Sequence, residues 1–343
     1  MAVRGLAEQA PRRRPAALLV AGAATALAIG LAVVSDGRFN TRTGYAEAAR
    51  DVQISDWWTL WAVPPVEVTL IALLGMALWR SLRSGAREAG RPRLLVAGAM
   101  ATLILAVASP LGGLAQGGLF AAHMLQHVLI GALAPLLVLL AIPSARSAKR
   151  RRHRLLVGVL HPAMAFMLWV GSTIVWLIPD VHHEVLTHQG LWVAQQVSFF
   201  VFGVVMWAPI TERFVASPSW FGTGGKCGYM FGVWTVGLIL ANFYWLSGRA
   251  WYAGHTAAAD AWGLSPLQDQ SNAATVMMAS HCVIAFTAIT VLFFRHAREQ
   301  GLEQRLVEAG VEPQRARRAI IEGEAELLAR QVGVAVRTRA GID

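Results

Sequence analysis

The chain has 343 residues, of which 55% are hydrophobic and only 15% charged, where an average soluble domain carries roughly 25% charged side chains. So few charges cannot cover a water-facing surface, and the same bias excludes disordered, coiled-coil and collagen-like chains. The formal charge of +10 would suggest nucleic acid in a soluble protein; in this composition it matters only where the basic residues sit.

Apolar runs long enough to cross about 30 Å of hydrocarbon fall at 16–34, 59–79, 94–111, 120–142, 155–178, 191–211, 229–247 and 271–294. They predict an all-α polytopic transmembrane helix bundle of about eight spans. The first run has the basic start of a signal peptide, but it exceeds the usual apolar length and no small-x-small cleavage site follows Val34. The second contains Glu67 and follows Pro64-Pro65, which predicts a bent outer end. The seventh is expected to start near Tyr229, after a glycine-rich stretch, and the eighth carries Asn272, Ser280, His281 and Cys282.

Alternating spans put 26 of the 30 Lys and Arg on one side and only Arg38, Arg42, Arg50 and Arg249 on the other. The positive-inside rule makes the basic side cytoplasmic, with both termini there. The runs Arg12-Arg13-Arg14 and Lys149-Arg150-Arg151-Arg152 are read as topology determinants that meet anionic lipids, not nucleic acid. Three segments follow: 1–56 as an N-terminal span and outer loop, 57–295 as a seven-helix core, and 296–343 as a cytoplasmic amphipathic tail. In the tail, Leu302, Leu306, Ile320, Ile321, Leu327, Leu328 and Val332 recur at helical spacing, broken near Gly310 and Pro313, as in helices that lie on lipid headgroups or a partner. Trp57, Trp58 and Trp61 read as an interfacial belt.

Ionisable groups inside spans are costly and are the first places to seek function. His123 and His127, at i and i+4 of the fourth span, share one helix face and can approach one ion. Imidazole pairs suit copper or zinc, but two ligands are an incomplete site, and on the pair alone packing or hydrogen bonding is the simpler reading. The surroundings strengthen the metal reading. The outer loop 179–190 supplies Asp180, His182, His183, Glu184 and His188, the outer loop 248–270 supplies His255, Asp260 and Asp269, and Glu67 lies about two turns below the outer end of its span. Six of the ten histidines thus fall in the outer half. Asp269 opens the last span, where it can cap amides or bond a neighbouring helix, or take part in a site. His161-Pro162 reads as a helix start, and adjacent His281 and Cys282 diverge around their helix. Nothing suggests an enzyme: Gly222–Gly228 lacks phosphate-loop spacing, and no CxxCH is present, so neither nucleotide nor haem is expected.

Ser109-Pro110-Leu111, the run Phe120-Ala121-Ala122-His123-Met124-Leu125-Gln126-His127, Ala134-Pro135-Leu136 and Ile142-Pro143 resemble the CtaG-type cytochrome c oxidase assembly family. The resemblance continues at Leu160-His161-Pro162, Trp207-Ala208-Pro209 and Leu264-Ser265-Pro266-Leu267-Gln268-Asp269-Gln270, and covers roughly 57–295. It implies a bacterial inner-membrane protein that helps mature haem-copper oxidases, with oxidase subunits as partners and copper handled from the outer side without turnover. The resemblance also implies a Trp-His-x-Pro element and a His-x-x-Glu-His cluster; here Leu177, Trp192, Gln195 and Gln196 occupy the ligand-like positions. Glutamine is a poor copper ligand. The expected site is therefore His123 and His127 as principal metal ligands, with Glu67, His182, His183, His255 and Asp269 supplementary, or rebuilt from His182, His183 and His188. The alternatives are a metal-free structural assembly protein of the oxidase, or a transporter of a small solute or ion.

Overall fold

Proline, serine and glycine set most of the helix ends in the computed structural model, which describes residues 54–83, 90–142, 154–218 and 220–334. The first expected span at 16–34 and the basic runs at 12–14 and 149–152 lie outside the described residues, as does most of segment 1–56. Every regular element described is helical. After a 3₁₀ turn at Ile54–Thr59 come α1 (Pro65–Arg83), α2 (Gly90–Val107) and α3 (Pro110–Gln116). Next are α4 (Phe120–Ala141), α5 (Arg154–Val159), α6 (Pro162–Leu177), α7 (Pro179–Thr187), α8 (Gln189–Thr211) and α9 (Thr223–Leu246). A 3₁₀ turn at Ala253–His255 leads to α10 (Thr256–Ala261), α11 (Pro266–Glu308), α12 (Pro313–Glu322) and α13 (Ala325–Gln331).

Five of these helices are long and apolar enough to cross a membrane, or seven if two bent pairs each count as one span: α2 with α3, bent by 42°, and α6 with α7, bent by 71°. Both bends have local causes. Ser109 caps α3, accepting from the Leu111 amide at 3.1 Å, with Pro110 at the first helical position. Pro179 likewise opens α7, so the chain cannot continue α6 past Ile178.

Two apolar clusters fill the bundle along its length. One joins Phe120, Met124, Leu177, Tyr244, Tyr252 and Met277; the other joins Leu139, Trp169, Met206, Trp207, Met230 and Leu292. Between membrane helices, lipid is as apolar as leucine, so close packing of small residues carries the association. A Cβ on Gly203 would stand 1.9 Å from the Gly131 carbonyl oxygen, and one on Gly237 would stand 2.3 Å from the His281 ring. Gly131 lies in a π-helical turn, Leu129–Leu133, that interrupts α4 two residues beyond the second histidine. Trp207 Nε1 donates to the Ala132 carbonyl there at 2.9 Å, satisfying backbone that the wider turn frees.

Three elements differ from the sequence reading. The outer loop expected at 179–190 contains a helix, α7, because Pro179 and Asp180 together form a helix start. Helix α9 begins at Thr223, six residues before Tyr229, and takes in Gly224, Gly225 and Gly228. Their low helix propensity is overridden by the buried ion pair of Lys226 with Glu212, 3.0 Å away beyond the end of α8. The tail expected from 296 is not separate at its start: α11 runs unbroken for 43 residues to Glu308, about 65 Å at 1.5 Å per residue. The break does come at Gly310, with φ 86°, and Pro313. Beyond it α12 and α13 fold back, so that Leu306, Val311, Ala316, Ala319, Leu328 and Ala329 form a small core of their own.

Candidate functional site

The residues of the Ser265-to-Gln270 stretch each have a mechanical part. Ser265 Oγ accepts from the Gln268 amide at 3.2 Å while Gln268 Oε1 accepts from the Ser265 amide at 2.8 Å, a reciprocal capping box with Pro266 at the first helical position. Asp269 does not cap its own helix. Its two carboxylate oxygens accept from the amides of Phe120, at 2.8 Å, and Ala121, at 3.1 Å, at the start of α4. A carboxylate is favoured there by both the open amides and the helix dipole. Gln270 bonds the turn after α9, accepting from the Trp251 amide at 2.8 Å and donating to the Tyr244 and Arg249 carbonyls. The carboxylate thereby fixes the helix that carries His123 and His127, and the amide fixes the chain that leads to His255.

Four imidazoles converge where these elements meet. The ring centroid of His123 lies 4.1 Å from that of His127, 5.2 Å from His182 and 6.0 Å from His255. All four side chains are buried. The 71° turn at Ile178-Pro179 lays α7 across the end of the bundle, and its inward face is His182 and Val185. The Gly118 carbonyl can only accept, so Nδ1 of His255 donates to it, and the neutral ring of His255 presents its lone pair at Nε2. His182 Nε2 faces that nitrogen at 2.9 Å.

Aromatic rings close the cluster: Phe120 lies 4.6 Å from His255, and Tyr252 lies 4.7 Å from His182, between ring centroids. Tyr252 and Tyr244 both donate to the Leu177 carbonyl, at 2.8 and 3.1 Å. Burial, and then the neighbouring Tyr244, push the Tyr252 hydroxyl far above the ordinary phenol range, so it stays a donor.

The other expected residues divide. Trp192 is fully buried with its ring 4.8 Å from His123, and Gln195 Oε1 lies 3.2 Å from His127 Nε2. Buried Gln196 is on the same helix, and Leu177 contributes its carbonyl to the tyrosines. Of the positions that the resemblance marks as ligand-like, Trp192 and Gln195 are thus at the cluster, with side chains of other chemistry. Glu67 is buried and accepts from Gln189 Nε2 at 3.3 Å at the opening of α8. His183 is exposed, and His188 is exposed and paired with Glu184 at 3.2 Å. Away from this region, His281 donates Nδ1 to the Met277 carbonyl at 2.8 Å and packs on Gly237, and Trp234 donates to Cys282 Sγ. His161 takes the N-cap position of α6.

Among the described residues, no three His, Cys, Asp or Glu side chains are arranged to hold one ion as they stand. The reason is visible in the nitrogens: His127 turns Nε2 to Gln195, His182 and His255 turn theirs on each other, and Asp269 spends its oxygens on amides. Buried polar atoms are nevertheless left over among the described residues. Both amide atoms of Gln116, Oε1 of Gln126 and Nε2 of Gln195 and Gln196 lack a hydrogen-bond partner, an arrangement costing about 1–3 kcal/mol per atom unless water or a ligand meets it. The family model described as cytochrome c oxidase caa3 assembly factor (Caa3_CtaG) matches residues 72–299. Neither the curated proteins nor the solved structures give a match.

Proposed function

Since the chain belongs to the cytochrome c oxidase caa3 assembly factor family, we propose that it assists oxidase assembly by holding copper at the buried histidine cluster and passing it to an oxidase subunit. The observation that carries this reading is the convergence of His123, His127, His182 and His255 from three elements far apart in sequence. Bringing four imidazoles into a membrane bundle is costly, and such groups mark ion sites or relays by default. His123 and His127 supply the inner face of the site, Asp269 positions them through the start of α4, and Glu67 and Gln189 brace α8. The role is a non-catalytic one.

The same reading places the protein in the bacterial cytoplasmic membrane as a multi-pass chain. With both termini and most basic residues inside, the histidine end faces outward, and the basic side meets anionic lipids. Copper content of the purified full-length protein, against a His123→Ala/His127→Ala double variant, tests the copper step; oxidase activity in a deletion strain carrying either form tests the assembly step. Wild-type protein carrying copper and restoring the oxidase, with both lost in the double variant, is the expected result. The second reading, a metal-free scaffold for the oxidase, draws on the absence of a ready three-ligand group among the described residues; it predicts full oxidase activity from the double variant.

A further inference from the structure

One small cavity connects the outside of the protein to the cluster. Its volume is about 160 Å³, and Asp180, His183, Trp251, Tyr252 and Gly254 line it together with His182. At roughly 30 Å³ per water it has room for about five waters. His183 is exposed and His182 buried, though they are neighbours on α7. A Cβ on Gly254 would stand 2.6 Å from Leu186 Cδ1 and 3.7 Å from His183 Nδ1, so the missing side chain keeps this opening wide.

Resting on the copper reading above, we propose that His182 and His255 are the receiving site for a cuprous ion, reached through the Asp180–His183 cavity and held by two nitrogens. Three observations lead there. The two Nε2 atoms already face each other at 2.9 Å across the hydrogen bond that His182 donates to His255; with that proton moved to His182 Nδ1, metal–imidazole bonds of about 2 Å need the nitrogens to part by only about 1 Å for a two-coordinate ion. His255 has its other nitrogen on the Gly118 carbonyl, the arrangement that orients metal-ligating histidines. Two opposed imidazole nitrogens make a two-coordinate site, which copper(I) accepts and tetrahedral zinc does not; of the carboxylates here, Asp180 lines the cavity and Asp269 is bonded to two amides. The desolvation cost of an ion scales with the square of its charge, so a monovalent ion costs roughly a quarter of a divalent one among neutral rings. Phe120 and Tyr252 pack their rings against the pair. Trp192 against His123 and Gln195 on His127 move first capture outward to this pair.

Copper(I), kept reduced and buffered by a chromogenic chelator, is titrated into full-length protein in detergent, and the metal environment is read by X-ray absorption. Wild type is expected to take up copper(I) with two nitrogen neighbours and to reject zinc. His182→Gln and His255→Gln should each weaken binding by more than the ~100-fold typical of losing an outer partner, with thermal unfolding confirming that they fold. Gly254→Val should slow uptake while leaving equilibrium affinity within about twofold. Wild-type affinity in both glutamine variants, with loss only in His123→Ala/His127→Ala, overturns the proposal and leaves the copper reading standing. A wild-type protein that binds no copper at all overturns both.

Discussion

The two ends of α8 bury polar groups by opposite means. At its start, Trp192 and Gln195 border imidazole rings that are held by hydrogen bonds and stacking. Past its end, Glu212 adopts a left-handed φ of 51°, the only positive φ at a non-glycine among the described residues, and pairs with Lys226 at 3.0 Å, both buried. Thr223 donates to Glu299 of α11 beside them, and Arg213 donates to the Ile142 carbonyl at 2.8 Å. Burial, then the charge of Arg91, lowers the affinity of Arg213 for its proton. A full ion pair is a rigid fastener, since separating its charges is expensive; on the copper reading proposed above, the imidazoles turn toward an ion and away again. On that reading the molecule is clamped at one end and adjustable at the other.

Breaking the clamp should have the largest effect on stability. Lys226→Met leaves Glu212 charged and buried, a loss of about 3–5 kcal/mol, read as a large drop in the midpoint of thermal unfolding in detergent. Copper binding by the fraction that remains folded should be unchanged. An equal loss of copper affinity would show that the two ends are one coupled unit and sink the contrast.

Asp269→Ala is expected next, at about 3 kcal/mol, because two buried amides lose a charged acceptor at once. Unlike Lys226→Met it should also weaken copper binding, since Phe120 and Ala121 begin the helix that carries the histidine pair. Asp269→Asn, which keeps one acceptor, should recover part of both effects. Copper affinity untouched by Asp269→Ala would mean that the start of α4 does not set the site.

The path from sequence to this picture is uneven for physical reasons. Periodicity and hydropathy carry helix positions, and i,i+4 spacing put His123 and His127 on one face, because these are local properties. Interhelix bonding was one of the readings open to Asp269, since a carboxylate beside helix starts seeks amides. Proximity of His182 to His255 is different: 73 residues separate them, and it depends on a single bend at Ile178-Pro179. Pro179 followed by Asp180 was a readable helix start, but its direction across the bundle is set by packing. The early start of α9 was hidden for a related reason. Glycines argue against a helix locally, while the partner that stabilises this turn, Glu212, comes from another element.

Gly237→Ala should cost about 2 kcal/mol by crowding the α9–α11 crossing, because the new methyl would meet the His281 ring. His281→Ala in the same chain should restore most of the midpoint, which a general loss of helix quality would not allow. This site lies between the two ends, so neither the ion pair nor copper affinity should respond. A change in copper affinity on Gly237→Ala would extend the adjustable region to the middle of the bundle.

The smallest effect sharpens the comparison from the histidines themselves. His188 stands at the junction of α7 and α8, directly after the last residue of His182's helix, yet its contact with Glu184 is half exposed on both sides. Exposed i,i+4 pairs contribute about 0.3–0.5 kcal/mol, so His188→Ala should barely move the unfolding midpoint. Thr187 and Glu184 already bond Nδ1 of this exposed ring. Copper stoichiometry and affinity should match wild type, in contrast to His182→Gln a few residues earlier. If instead His188→Ala removed bound copper, the metal would be held at the exposed end of α7, and burial would not be what distinguishes the histidines that matter.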